Sequence, residues 1–151
     1  MDIATLDAEA ARLVLAEFTE ETALRLGLTL VNMAKLDKLP VVIDIRTADR
    51  TLFHAAMPGA APLNDRWAQR KSNTALHFHH ASLRVGRQMA EKGDSLATNG
   101  LSETDFAIHG GAVPIRVRGA GVVAVATVSG LPQVEDHQLV IRALETLLPA
   151  P

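Results

Sequence analysis

Residues 113–128 read VPIRVRGAGVVAVATV, and this stretch decides the class of fold. Apolar residues alternate with more polar ones over residues 113–117, and a period of two is typical of a half-buried strand. The turn Gly119-Ala120-Gly121 leads into residues 122–128, which are apolar at almost every position, as in a central strand covered on both faces. Pro114 cannot donate a ladder hydrogen bond, so its strand is predicted to be an edge strand or to carry a bulge. The whole stretch predicts a β-hairpin.

A second hairpin is predicted upstream. Residues 41–46, VVIDIR, alternate in the same way, Thr47-Ala48-Asp49 supplies turn residues, and residues 51–56 return as a strand. Because hairpin strands pair antiparallel, the two hairpins predict an antiparallel sheet of four to five strands. Helices in the remaining segments would flank that sheet, which makes α+β the predicted fold class.

Four helices are predicted around the hairpins. The first spans residues 6–17, and the second begins after Thr19, a favourable N-cap residue. The predicted buried stripe of this second helix contains Leu24, Leu28, Val31 and Ala34. A long third helix is predicted from an N-cap at Asn64 to about Met89, and a last helix spans about residues 133–147.

The composition predicts one soluble domain over residues 1–151. Hydrophobic residues make up 48% of the chain, enough for one core, and there is no cysteine to form a disulfide or a thiolate nucleophile. The formal net charge is −2 and aromatic residues make up 3%, so neither a basic stripe nor stacking platforms indicate nucleic-acid binding.

Neither end of the chain nor its interior suggests a membrane segment. The longest apolar stretch, residues 121–131, is shorter than the roughly 20 residues that cross a bilayer, and the acidic N-terminus is unlike a signal peptide. A cytoplasmic protein without membrane insertion is therefore expected.

The histidine-rich sequence His77-Phe78-His79-His80 lies within the predicted long helix. On a helix, His77 and His80 would lie on adjacent faces and could share a metal ion. No carboxylate lies three or four residues away to complete such a site. A solvated, histidine-rich face explains the sequence as well, and no metal site is predicted.

A histidine and two glycines, His109, Gly110 and Gly111, precede the second hairpin. The glycines permit a positive φ and a close backbone approach, and the imidazole could ligate or protonate a bound molecule. A tight turn with an exposed His109 explains the same residues. Both interpretations stand at this point.

The chain also holds the residue types of a Ser-His-Asp site: Ser129, Asp136 and His137, together with His109. Ser129 lacks the G-x-S-x-G nucleophile elbow, and an N-capping role for Asp136 is the simpler explanation. No catalytic residue is therefore assigned, and whether the protein is an enzyme is left open.

Lys71 falls on the apolar stripe of the long helix, beside Arg70. A buried lysine could be a functional amine with a lowered pKa, or its ammonium could reach solvent or pair with an acid such as Asp44. His54 lies on the same strand face as Leu52 and is expected to be a hydrogen-bonded histidine of the sheet.

Three of these segments resemble one known family. Lys71-Ser72-Asn73-Thr74-Ala75 is similar to its K-[AS]-x-T-A helix motif, residues 110–115 to its Gly-Gly…Pro-Ile strand entry, and residues 128–137 to its V-S-G…D-[EH] close. The family is the haem-degrading domain family (GlcG/HbpS-like). Residues 20–148 resemble most closely its uncharacterised branch with HGGxxP and VSGLPxxxDH. His137 stands where most haem-associated members have Glu.

The resemblance implies an antiparallel sheet flanked by helices, dimers assembling into a larger ring, and haem or a related tetrapyrrole as ligand. We therefore expect a small-ligand-binding homo-oligomer. The expected ligand site lies between the helix, the glycine turn and the start of the last helix, at Arg70, Lys71, His109, Gly110, Gly111, Asp136 and His137. The two basic residues would hold an anionic group, and His109, or else His54, would be the axial ligand of the haem iron.

Two other functions stay open. The same motifs would suit a protein-interaction scaffold or a chaperone-pathway adaptor that binds no ligand, because one eukaryotic member of the branch is associated with a chaperone pathway. An enzyme that degrades haem or acts on small acids would need groups with shifted pKa values in one pocket. The candidates for those groups are His109, Asp136, His137 and Lys71.

Overall fold

The computed structural model describes residues 1–150, and the order of its elements follows the two hairpins. The helices are α1 (Ile3–Arg12), α2 (Glu20–Leu36), α3 (Pro62–Phe78), α4 (Ser82–Lys92) and α5 (Gln133–Glu145), with a short 3-10 helix at Ala97–Asn99. The strands are β1 (Val14–Leu15), β2 (Val42–Arg46), β3 (Thr51–Ala56), β4 (Ala112–Val117) and β5 (Gly121–Ser129).

The five strands form one sheet in the order β1-β4-β5-β2-β3. Both predicted hairpins, β2–β3 and β4–β5, are present and antiparallel, and β5 occupies the predicted central position beside β2. The sheet and its flanking helices confirm the α+β class. The two residues of β1, which the sequence analysis placed at the end of a helix, instead pair parallel with the last part of β4.

Helices cover the two faces of the sheet unequally. On one face α2 and α5 pack over the main core, which contains fully buried side chains such as Leu26, Leu30, Ile43 and Leu139. On the other face α3 lies on β5 and brings small and polar residues to the sheet. There Ser72 Oγ lies 2.7 Å from Thr127 Oγ1, and both side chains are buried. This thinner, more polar layer lies beside the cavity described below.

The start of α2 is as predicted, and its buried face is as predicted only in part. Thr19 is the N-cap and accepts a hydrogen bond from the Thr22 amide. The predicted stripe is wrong for Leu24 and Leu28, which are 51% and 55% exposed. The buried face of α2 is centred closer to Gly27. A Cβ on Gly27 would lie 2.4 Å from the Phe53 ring, so the helix packs closely against β3. Small residues, rather than the two leucines, make this contact.

The predicted long third helix is two helices. His79 adopts a left-handed conformation (φ 58°), its amide caps α3, and α4 begins at Ser82. The Arg116 guanidinium donates a hydrogen bond to the His79 carbonyl and so fixes the break. The predicted N-cap is also wrong, because α3 begins at Pro62 and Asn64 already lies in its first turn. No helix within residues 1–150 has both the length and the apolar character to cross a membrane.

Leucines on the two sides of α2 give a matched test of this packing. Leu30→Ala is expected to lower the free energy of unfolding by about 2–5 kcal/mol, because it leaves a cavity in the core. Leu36→Ala, the same substitution at a side chain that is 84% exposed, is expected to change it by no more than about 0.5 kcal/mol. Urea unfolding followed by circular dichroism measures both, and equal losses would contradict the orientation of α2.

Candidate functional site

A cavity of about 240 Å³ opens where α3, the turn before β4 and the start of α5 meet. We call it the Lys71 cavity. The residues that line it are Asn64, Trp67, Lys71, His109, Ser129, Gly130, Leu131, Gln133 and Asp136. The lysine-bearing helix and the histidine-glycine turn, which the sequence analysis assigned to one ligand site, therefore border the same space.

A buried ion pair forms one wall of the Lys71 cavity. Lys71 Nζ lies 3.0 Å from Asp136 Oδ2 and 3.4 Å from the Val128 carbonyl oxygen. The two charged side chains are only 5% and 1% exposed. The alternative of an ammonium that reaches solvent is therefore wrong, since Lys71 points inward. The alternative of a pair with an acid is correct, but the acid is Asp136 and not Asp44.

Asp136 also closes the turn between β5 and α5. Its carboxylate accepts hydrogen bonds from the amides of Gly130 (3.3 Å) and Leu131 (2.9 Å). The N-cap of α5 is Pro132, so the predicted capping role of Asp136 is wrong. The carboxylate binds backbone amides that precede the helix, which holds it in place under the Lys71 ammonium.

Burial shifts both members of the pair toward their neutral forms. It lowers the pKa of Lys71 and, although Asp136 opposes this by its charge and hydrogen bond, the net shift is downward. Burial likewise raises the pKa of Asp136 against the opposing effects of Lys71 and the two amides. Transfer of a proton from Lys71 to Asp136 converts the ion pair into a neutral amine and a neutral acid. Both shifts lower the free-energy cost of that transfer.

The two glycines are needed for close packing around the lysine. Gly111 has φ 140°, and a Cβ there would lie 2.3 Å from the Val128 carbonyl oxygen and 2.9 Å from Lys71 Nζ. A Cβ on Gly110 would lie 2.5 Å from the Gln133 carbonyl oxygen. Of the two interpretations of this turn, the geometry supports the close backbone approach. A side chain at Gly111 would displace the lysine or β5, and one at Gly110 would displace the start of α5.

His109 lies at the exposed edge of the cavity, against an aromatic wall. Its ring packs edge-on against Trp67, with 5.0 Å between ring centroids, and the Arg70 guanidinium lies 4.4 Å from the Trp67 centroid. Partial burial, followed by the charges of Lys71 and Arg70, lowers the pKa of His109. Neither ring nitrogen hydrogen-bonds to another side chain or carbonyl in residues 1–150. At neutral pH this imidazole therefore carries a free lone pair.

Arg70 does not line the Lys71 cavity. It borders a shallow outer groove together with Arg66, Leu63, Glu103 and Thr104. Its guanidinium donates a hydrogen bond of 3.5 Å to the Phe106 carbonyl. Because Trp67 contacts both Arg70 and His109, its indole ring lies next to a residue of the groove and to a residue of the cavity.

Two other predicted histidines lie outside the cavity. Both ring nitrogens of His54 are engaged, one with Asp44 at 2.8 Å and one with Asp65 at 2.9 Å. Burial opposes the charge of His54, but the bonds to both carboxylates raise its pKa. His137 is buried in a second, smaller space between α1 and α5, where its Nε2 lies 2.8 Å from Glu9 Oε1.

These positions decide two sequence hypotheses. Within residues 1–150 no hydrogen-bonded Ser-His-Asp chain forms. Asp136 pairs with Lys71 and His137 with Glu9, and the His109 ring has no hydrogen-bond partner among those residues. The shared metal site of His77 and His80 depended on one continuous helix, and the chain leaves that helix at His79. The His77 ring instead packs against Phe78 and Phe106.

The ligand site expected from the sequence did not include six residues of the cavity wall: Asn64, Trp67, Ser129, Gly130, Leu131 and Gln133. The Asn64 side-chain oxygen accepts from the Ala61 amide, and the Gln133 side-chain oxygen accepts from the Gly110 amide, both at 2.9 Å. Each amide NH₂ group is thereby left as a donor. A signal for Asn64 and Gln133 was present in the sequence, because each is an amide residue in the first turn of a helix. That signal can be used only when the starts of both helices are known.

The fold and the cavity together define an α+β protein with a buried lysine-aspartate pair beside an exposed histidine. Residues 18–145 match the family model described as haem degrading protein HbpS-like. The chain belongs to this family, as its motifs had suggested.

Relatives and solved structures agree with this assignment. A UPF0303 protein of Streptomyces coelicolor is 45% identical over 97% of this chain and 93% of its own length. The crystal structure of Ybr137w protein has a TM-score of 0.86 at 35% identity, covering 97% of this chain and 87% of that one. The PduOC:heme complex shares the fold, with a TM-score of 0.71 at 21% identity over 87% of this chain and 94% of that one.

The lysine-aspartate pair predicts strong coupling in a double-mutant cycle. Asp136→Ala is expected to lower the free energy of unfolding by about 3–5 kcal/mol, because it leaves the Lys71 charge buried without a partner. Lys71→Met combined with Asp136→Ala removes both charges, and its loss should be smaller than the sum of the single losses by on the order of 0.5–3 kcal/mol. Urea unfolding of the four proteins at pH 7 measures the coupling, and additive losses would contradict a buried pair.

Proposed function

We propose that this protein binds haem or a related tetrapyrrole at the mouth of the Lys71 cavity, with His109 as the axial ligand. The observation that carries the proposal is the state of His109: exposed, without a hydrogen-bond partner in residues 1–150, and with a pKa lowered by burial and by nearby cations. A neutral imidazole with a free nitrogen is the form that ligates iron. His54 is the weaker candidate, because both of its nitrogens already bind carboxylates.

The surroundings of His109 suit a flat, anionic ring. Trp67 supplies an aromatic wall, and Arg66 and Arg70 supply guanidinium groups that pair well with carboxylates such as propionates. Membership of the HbpS-like family supports haem as the ligand. So does the shared fold with PduOC, whose structure was solved as a haem complex.

The size of the cavity limits how haem would bind. At about 240 Å³ the cavity is smaller than the roughly 300–1,000 Å³ of pockets that enclose a drug-sized ligand. The donor set fits the group, but most of the ring would remain outside the cavity, against Trp67 and the outer groove. Bound haem would supply an iron centre for oxygen or electron-transfer chemistry, while His109 would hold it and the arginines would orient it.

A haemin titration followed by absorption spectroscopy tests the proposal. Wild-type protein is expected to shift the Soret band, and His109→Ala is expected to abolish that shift because the axial nitrogen is lost. His54→Gln is the matched control and should keep the shift, with circular dichroism confirming that each variant is folded. A wild-type spectrum identical to that of free haemin would refute haem binding and favour a ligand-free scaffold.

We also propose that the protein is a homo-oligomer, with dimers assembling into a larger ring as its family resemblance implies. Leu24 and Leu28 support this, because they lie one turn apart on the outer side of α2 and are each about half exposed. Large apolar side chains clustered on a surface commonly mark a contact with another protein.

Native mass measured by light scattering tests the oligomer. Leu28→Glu places a charge in the proposed contact and is expected to reduce the native mass, whereas Ala90→Glu, at an exposed position of α4, is expected to leave it unchanged. A wild-type protein that is monomeric at micromolar concentration would exclude the assembly.

A further inference from the structure

The Lys71 amine has a set of neighbours that a purely structural ion pair does not require. It borders a cavity, although only 5% of the side chain is exposed, and Gly111 packs beside it without a side chain that would crowd its nitrogen. A buried ion pair adds little to stability compared with apolar residues of the same size. Reactive lysines, by contrast, are placed in desolvated pockets beside a group that exchanges protons.

We propose that Lys71 is a nucleophilic amine that forms an imine with a short 2-oxo acid bound in the cavity. This step goes beyond haem binding and does not depend on it, because it uses the inner end of the cavity rather than the exposed edge at His109.

The class of partner follows from the cavity wall. Asn64 and Gln133 each have their side-chain oxygen bound to a backbone amide, which leaves two NH₂ donors at the cavity for a carboxylate. Both residues lie in the first turn of a helix, where the helix dipole also favours an anion. The volume of about 240 Å³ restricts the partner to a small molecule. The ketone carbon next to the carboxylate of a 2-oxo acid would then lie within reach of the Lys71 amine.

The proton balance of the step uses only the pair itself. In the neutral form of the pair, the Lys71 amine adds to the ketone carbon of the 2-oxo acid, and a proton moves from nitrogen to oxygen to give a carbinolamine. The protonated Asp136 carboxyl then gives its proton to the departing hydroxyl, which leaves as water. The products are a protonated imine on Lys71 and the Asp136 carboxylate, which pair as the original ions do. The lowered pKa of Lys71 and the raised pKa of Asp136 both favour the starting state.

Reductive trapping with pyruvate tests the inference within one protein. The chain has four lysines, and the other three, Lys35, Lys38 and Lys92, are exposed and serve as internal controls. Folded wild-type protein is incubated with pyruvate and cyanoborohydride at pH 7, and labelling at each lysine is measured by peptide mass mapping. Lys71 is expected to label faster than each of the three exposed lysines, because its lowered pKa leaves a larger fraction of the amine neutral at pH 7.

Two variants separate reactivity from folding. Lys71→Arg should lose the rapid label and keep the slow labelling of the other three lysines. Asp136→Asn should move the pH midpoint of Lys71 labelling to lower pH, because the ammonium loses its carboxylate partner. If that variant unfolds, Lys71 will instead follow the pH profile of the exposed lysines. The inference is then tested by the labelling rates of Lys71 and the exposed lysines in wild-type protein.

Labelling of Lys71 at or below the level of the exposed lysines, in folded wild-type protein, would overturn the inference. The haem proposal has a separate readout. A Soret shift without a Lys71 adduct would refute the imine and leave haem binding in place, and an adduct without a Soret shift would do the reverse.

Discussion

The ion pair between Lys71 and Asp136 joins the parts of the molecule that form its site. It connects α3 to α5 through two residues that are 65 positions apart in the chain. Because Asp136 also binds the amides of Gly130 and Leu131, one carboxylate fixes a helix, a strand end and the start of another helix. Loss of either charge would leave the other buried alone, which is the costly state of such a pair.

Close packing on the α3 face follows from this pair. A helix that carries a buried lysine must lie near the sheet for the ammonium to reach its partner, and small or hydroxyl-bearing residues permit that approach. Ser72 and Thr127 meet across the layer, and Gly111 passes beside the lysine where no side chain fits. The Lys71 cavity lies beside this layer, along the first part of α3. The pair of Lys71 and Asp136 thus accounts both for where the site lies and for the charged groups that it contains.

Local sequence patterns predicted the helices and strands better than they predicted the contacts between them. Alternating residues located both hairpins, and Thr19 located the start of α2, because these features depend on neighbours in sequence. The break at His79 depends on a distant arginine, and the exposure of Leu24 and Leu28 depends on Gly27 meeting Phe53. The family motifs selected three segments that contribute to the wall of the Lys71 cavity: those of Lys71, of His109 and of Asp136. The pairing of Lys71 with Asp136 required coordinates, since no spacing in the sequence relates the two residues.

The two-residue strand β1 has a consequence for how this chain meets other chains. Val14 and Leu15 pair with Arg116 and Val117, so the end of β4 does not present free backbone donors and acceptors. An uncovered strand edge invites pairing with another molecule and so promotes aggregation. The first fifteen residues therefore cover part of the sheet edge. A chain that lacks them is expected to keep a folded core and to aggregate more readily.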